Sequence, residues 1–137
     1  MKVNTDSLIL GSWASTNNAK RILDIGTGSG ILALMLAQKS PQETTVDAIE
    51  IDDSAAEQAS QNFANAPWSN RMQVVHTDLA HFQPSHLYDL IITNPRISTV
   101  QNRQPMLIAH KHPHVLLHVK CLVLNQLICF NFVLSIL

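Results

Sequence analysis

Four short apolar runs, each with a polar or acidic residue at or near its carboxyl end, set the plan of this chain. Arg21–Ile25, Thr45–Glu50, Met72–His76 and Tyr88–Thr93 are brief and rich in Ile, Val and Leu. Such runs suit strands covered on both faces, where strict polar alternation is lost. Between them the pattern predicts helices over Gly30–Lys39 and Ser54–Asn65, with a short turn near Ala80–Gln83. Lys39 suits the negative pole of the first helix, and Pro41 stops it. Ser54 is the expected cap of the second, with Glu57 completing a capping box and Asp52 and Asp53 as a charged lead-in. Alternation of strand and helix predicts an α/β fold: a doubly wound parallel sheet, strand order 3-2-1-4, joined by right-handed crossovers.

The carboxyl ends of parallel strands share one rim, and open α/β sheets bind ligands there. Four polar residues fall on that rim: Asp24, Glu50, Asp78 and Asn94. The first strand runs into Gly26-Thr27-Gly28-Ser29-Gly30, in which glycine recurs at alternate positions. Residues without Cβ let a ligand lie against bare main chain. A dinucleotide fingerprint needs G-x-G-x-x-G, but Ile31 follows Gly30, so the register is G-x-G-x-G. Asp24 would repel a pyrophosphate and could hold a cationic amino group. The expected ligand is therefore S-adenosylmethionine. Glu50 would accept from its ribose hydroxyls and Asp78 from its adenine amine. For either acid the competing role is a solvated loop residue or a helix cap. Trp68 reads as a packing anchor.

At 137 residues the chain fits one domain. Its net charge of −1 hides an asymmetry: all ten acids lie at or before Asp89, and Arg96, Arg103, Lys111 and Lys120 follow without one. That break suggests two segments of different origin or role. Cys121 and Cys129 both lie in the second segment, and no signal-peptide pattern opens the chain, so a cytoplasmic location is expected.

With these residues placed, the chain resembles class I S-adenosylmethionine-dependent methyltransferases, and among them the bacterial family that methylates N6 of an adenine in tRNA(Val). Leu23–Gly30 is similar to the first methyltransferase motif, and Met1–Trp13 to that family's opening signature. The resemblance covers about residues 1–95. It implies a partial Rossmann-like fold that begins late and lacks its C-terminal half. It also implies that Lys2, Thr5 and Asp6 line the cofactor pocket beside Asp24, Gly26, Gly28, Gly30, Glu50, Asp78 and Asn94. Asn4 stands where the family has glycine. The catalytic motif is Asn-Pro-Pro followed by an aromatic residue, and Asn94-Pro95-Arg96-Ile97 keeps its first half only. By resemblance, Asn94 and the carbonyl of Pro95 accept from the adenine amine, and the missing aromatic would stack on the extruded base. Stacking of that kind is worth roughly 1–3 kcal/mol per base. The substrate implied is tRNA. Two further readings stay open: a glutamine-methylating protein methyltransferase, which shares the catalytic motif, and a non-catalytic cofactor-binding remnant.

Residues 1–95 therefore read as the cofactor-binding half of a methyltransferase domain, and 96–137 as an atypical tail. Restoring one C in the codon of Pro95 permits Pro-Pro-Tyr-Phe-Asn-Ser in place of Pro95–Val100, so the tail is expected to be out of frame. Val115–Leu137 holds 17 apolar residues in 23, but Lys120, Asn125, Gln126 and Asn131 interrupt it, and no membrane anchor is expected. His110, His112, His114 and His118 lack a recognisable metal-ligand spacing, so no metal is expected either. A fourth strand without its neighbour would be an exposed apolar edge, which predicts a monomer or an aggregation-prone chain.

Overall fold

The computed structural model describes residues 5–94, together with two short strands at 119–120 and 131–132. Four parallel strands form one sheet: β1 (Arg21–Ile25), β2 (Thr45–Glu50), β3 (Met72–His76) and β4 (Leu90–Thr93), in the order β3-β2-β1-β4. The first three have the bounds their apolar runs predict. β4 starts two residues later than expected because Tyr88 and Asp89 have other work. The Asp89 carboxylate accepts from the main-chain N–H groups of Lys20 and Arg21, at 2.8 and 2.9 Å. The Tyr88 hydroxyl donates to the buried Asp47 carboxylate at 2.6 Å. Burial and that carboxylate push the Tyr88 phenol well above its ordinary range.

Three helices accompany the sheet: α1 (Thr5–Trp13), α2 (Ile31–Lys39) and α3 (Asp53–Ala64). Leu10, Leu32, Leu36, Ala59 and Phe63 from these helices meet Ile22, Val46, Ala48 and Ile92 of the strands in one core. Leu23, Ile25, Ile49 and Ile91 point to the opposite face, where Tyr88, Leu79 and Phe82 of the β3–β4 connection cover them. That connection holds only a single turn, closed by the N–H groups of His81 and Phe82 donating to the Asp78 carbonyl. Trp68 packs against the larger core, in keeping with an anchoring role.

One cap differs from expectation. Asp52, not Ser54, caps α3: its side chain accepts from the Ala55 N–H at 2.8 Å, so the helix begins one residue early and Glu57 closes no capping box. Lys39 stands in the last turn of α2, as expected, and also reaches a second helix. Its ammonium donates to the carbonyls of Gly11 and Ser12 at 2.9 and 3.2 Å, and so caps α1. Helix α1 itself is an addition to the predicted elements. Its Leu8 and Ile9 are 39% and 50% exposed while Leu10 is fully buried, so its apolar residues do not gather on one stripe.

β5 (Val119–Lys120) and β6 (Asn131–Phe132) form a two-residue antiparallel pair. The expectations about the tail's reading frame, its apolar stretch and its histidines otherwise lie outside the described residues. Among the described residues no helix is long and apolar enough to cross a membrane, and no three His, Cys, Asp or Glu side chains are grouped to hold a metal ion.

Candidate functional site

The register of the sheet decides what meets at its carboxyl rim. Ile25 lies opposite Ile49 of β2 on one side and Thr93 of β4 on the other, while Glu50 lies opposite His76. The strand order reverses between β1 and β4, which is where open α/β sheets form a crevice. The loop leaving β1 folds over the end of β2: the N–H groups of Gly26 and Thr27 both donate to the Ile49 carbonyl, at 2.9 and 3.1 Å. Gly26 holds a φ of +70°, and a Cβ built on it would meet no atom within 4 Å. Gly30, at a φ of +85°, is the cap position of α2; a Cβ there would sit 2.5 Å from the Phe63 ring. One glycine thus leaves open space over the rim, and the other permits close packing of α3 beneath the loop.

Asp24 is 1% exposed. Its Oδ2 accepts from the Thr27 hydroxyl at 2.7 Å, its Oδ1 is buried and makes no well-formed hydrogen bond, and the Ala33 amide at the start of α2 faces the carboxyl group. Burial is the main reason its pKa rises to about 7, with the nearby Glu50 charge adding to it; the Thr27 hydroxyl and the Ala33 amide at the start of α2 oppose the rise. A buried carboxylate oxygen without a donor is costly in water's absence. A cationic or N–H-bearing ligand group would satisfy it.

Glu50 is 8% exposed, and both of its carboxylate oxygens already have main-chain partners. Its Oε2 accepts from the Gly28 N–H at 2.7 Å, and its Oε1 from the N–H groups of Ile51 and Asp52 at 2.9 and 3.1 Å. Three of roughly four acceptor positions on a carboxylate are thereby used. Glu50 stitches the glycine loop to the start of α3, and a grip on two hydroxyls would require one main-chain bond to be shared.

Asp78 stands two residues beyond β3, half-exposed, with its Oδ1 accepting from the Ala80 N–H at 3.1 Å and its Oδ2 3.7 Å from His81. It closes the turn that follows, the competing role for a loop acid. Asn94 follows β4 directly, and its side-chain amide donates to the Ser7 hydroxyl at 2.8 Å. Thr5 and Asp6 occupy the exposed first turn of that same helix α1. Lys2 and Pro95 lie outside the described residues.

The structure therefore brings together Asp24, Glu50 and the glycine loop, sets Asn94 at the end of the adjoining strand, and places Asp78 on the rim with its carboxylate turned to its own loop. Three contributors are not evident from the sequence reading. Thr27 holds Asp24; a hydroxyl three residues after a strand-ending acid could have flagged it. Ser7 holds Asn94 from 87 positions away, which no local pattern reveals. Ile51, 66% exposed beside Glu50, offers apolar surface at the rim.

Comparison with known proteins places these features in context. A family model described as the methyltransferase small domain matches residues 2–111. The tRNA1(Val) (adenine(37)-N6)-methyltransferase of Tolumonas auensis is 56% identical over 95 residues, covering 69% of this chain and 40% of that protein. The enzyme of the same name from an Enterobacter strain is 53% identical over 97 residues, again covering 69% and 40%. The chain thus spans about 40% of the length of these curated relatives. Among solved structures, the O-methyltransferase of a trans-AT PKS multienzyme of Brevibacillus brevis, in complex with S-adenosyl-L-homocysteine, superposes with a TM-score of 0.56 at 20% identity. It covers 66% of this chain and 30% of that one, and the likeness is one of fold.

Proposed function

The chain belongs to the methyltransferase small domain family, and from that premise we propose that its rim binds S-adenosylmethionine and that it is part of a cytoplasmic enzyme methylating N6 of an adenine in tRNA(Val). The observation that carries the cofactor reading is the buried Asp24 carboxyl, whose Oδ1 makes no well-formed hydrogen bond, two residues before the open space over Gly26. In this reading Asp24 accepts from the ammonium of the methionine moiety. Glu50 and the Gly28 N–H it holds border the ribose, the exposed Ile51 side chain lies against the adenine, and Asp78 accepts from the adenine amine once its bond to Ala80 is shared. Lys2, Thr5 and Asp6 complete the cofactor side, as in the family's opening signature. When bound, S-adenosylmethionine supplies an electrophilic methyl group; the protein needs only to orient its acceptor.

Asn94 supplies that orientation. With its amide nitrogen committed to Ser7, the side-chain carbonyl is the group left to accept from the target amine. Pro95 would present the second acceptor through its main-chain carbonyl. The substrate assignment draws on the Tolumonas and Enterobacter enzymes, whose names specify adenine 37 of tRNA1(Val). Arg96 and Ile97, where the family has proline and an aromatic residue, support a second reading in which the chain binds the cofactor and transfers poorly or not at all. We attribute this departure to a frame change within codons 94–100, although the family match runs on to residue 111.

A methyl-transfer assay with labelled S-adenosylmethionine and unmodified tRNA(Val) tests the proposal, with glutamine-containing protein substrate run in parallel. Label in tRNA is expected. Label in protein alone would replace the substrate assignment, and cofactor binding without transfer would favour the second reading. Sequencing the DNA across codons 94–100 tests the frame: the idea fails if no single-base change restores Pro-Pro and an aromatic residue.

A further inference from the structure

Helix α1 is held at its far end. Leu10 is fully buried, and the Lys39 ammonium caps the carbonyls of Gly11 and Ser12. On the first turn of this helix, Ser7 meets Asn94 at the end of β4. An asparagine side chain can present either its carbonyl or its amide nitrogen to a site, and the two orientations differ by a half-turn that costs little when both ends are solvated. Here the amide nitrogen donates to the Ser7 Oγ at 2.8 Å, so the carbonyl is the end turned away from α1.

We propose that Ser7 is a positioning residue for Asn94: its hydroxyl accepts from the asparagine amide nitrogen and anchors the side chain with its carbonyl turned away from α1, where it can accept from an amine substrate. Ser7 itself touches no reacting atom. The inference rests on the amine-methylating reading of Asn94, which needs an acceptor there and would be defeated by the opposite orientation. It also gives the opening segment a second task, since the helix carrying Thr5 and Asp6 at the cofactor side sets the geometry at the acceptor side.

The test has an activity-independent part and a kinetic part, both on the full chain. In nitrogen-15 spectra, the Asn94 side-chain amide pair is identified by its loss in Asn94→Ala. It is expected to exchange slowly with water in the parent chain, rapidly in Ser7→Ala, and slowly again in Ser7→Thr, which retains the hydroxyl. In the transfer assay, Ser7→Ala is expected to lower kcat about five- to tenfold, the size of one lost neutral hydrogen bond, with little change in KM for S-adenosylmethionine. Ser7→Thr should recover most of it. Equal exchange of the Asn94 amide in the parent and in Ser7→Ala would overturn the proposal, as would a freed amide with unchanged kcat. A parent chain with a protected amide but no methyl transfer would refute the functional reading and uphold the bond.

Discussion

Replacing Asp24 by asparagine separates the stability of this fold from its ligand chemistry. Asp24 has a folded pKa of about 7 against 3.8 for an ordinary aspartate, so the folded chain holds a proton that the unfolded chain has released across that window. A raised acid pKa contributes stability that is full below the unfolded value and lost as pH rises through the folded value. Between pH 5.5 and pH 8 the loss from this one group is roughly 2 kcal/mol, at about 1.36 kcal/mol for each pKa unit traversed. Asp24→Asn removes the titration and can keep the Thr27 bond through its amide oxygen. Urea unfolding of both proteins at the two pH values, without ligand, isolates the effect. All other titratable groups are common to both chains and cancel in the difference. The parent should lose about 2 kcal/mol more than the variant on going to pH 8. Cofactor affinity should move the other way: it should rise with pH toward 7 in the parent as the carboxylate ionises, and stay weak and flat in Asp24→Asn. Parallel stability profiles for the two proteins would refute the claim that Asp24 is a buried, partner-poor carboxyl.

Gly30→Ala should destabilise by about 2–4 kcal/mol, from left-handed backbone strain plus the clash with Phe63, whereas Gly26→Ala, with open space around it, should cost only about 1–2 kcal/mol; thermal melts compare the two. Glu50→Gln replaces one acceptor oxygen with an amide facing main-chain N–H groups, so a loss of about 1–3 kcal/mol and at least tenfold weaker cofactor binding are expected in melts and calorimetry. Asn94→Ala should leave cofactor affinity within about twofold and reduce kcat a hundredfold or more, about 2.7 kcal/mol or greater in the barrier, as read in the transfer assay.

The strands were legible because their determinants are local. Apolar runs such as Thr45–Glu50 end where polar residues begin, and β1, β2 and β3 follow them to the residue. Helix α1 was not legible. Its exposed Leu8 and Ile9 blur any periodicity, and it is held by Lys39 and Asn94, distant in the chain. The cap of α3 shows a finer failure of the same kind. Asp52 and Ser54 both have capping chemistry, and the choice went to Asp52, whose own N–H is tied to Glu50. At the rim, positions were readable but states were not: that Glu50 would be engaged by three amides, and that Asp78 would turn to Ala80, depends on how the loops fold back.

Calorimetric titration of the folded chain with S-adenosylhomocysteine bears most directly on the rim as a cofactor crevice. Saturable one-to-one binding is expected, weakened tenfold or more in Glu50→Gln. A parent chain that is folded by circular dichroism yet gives no heat of binding, or that binds equally well without the Glu50 carboxylate, would contradict the account.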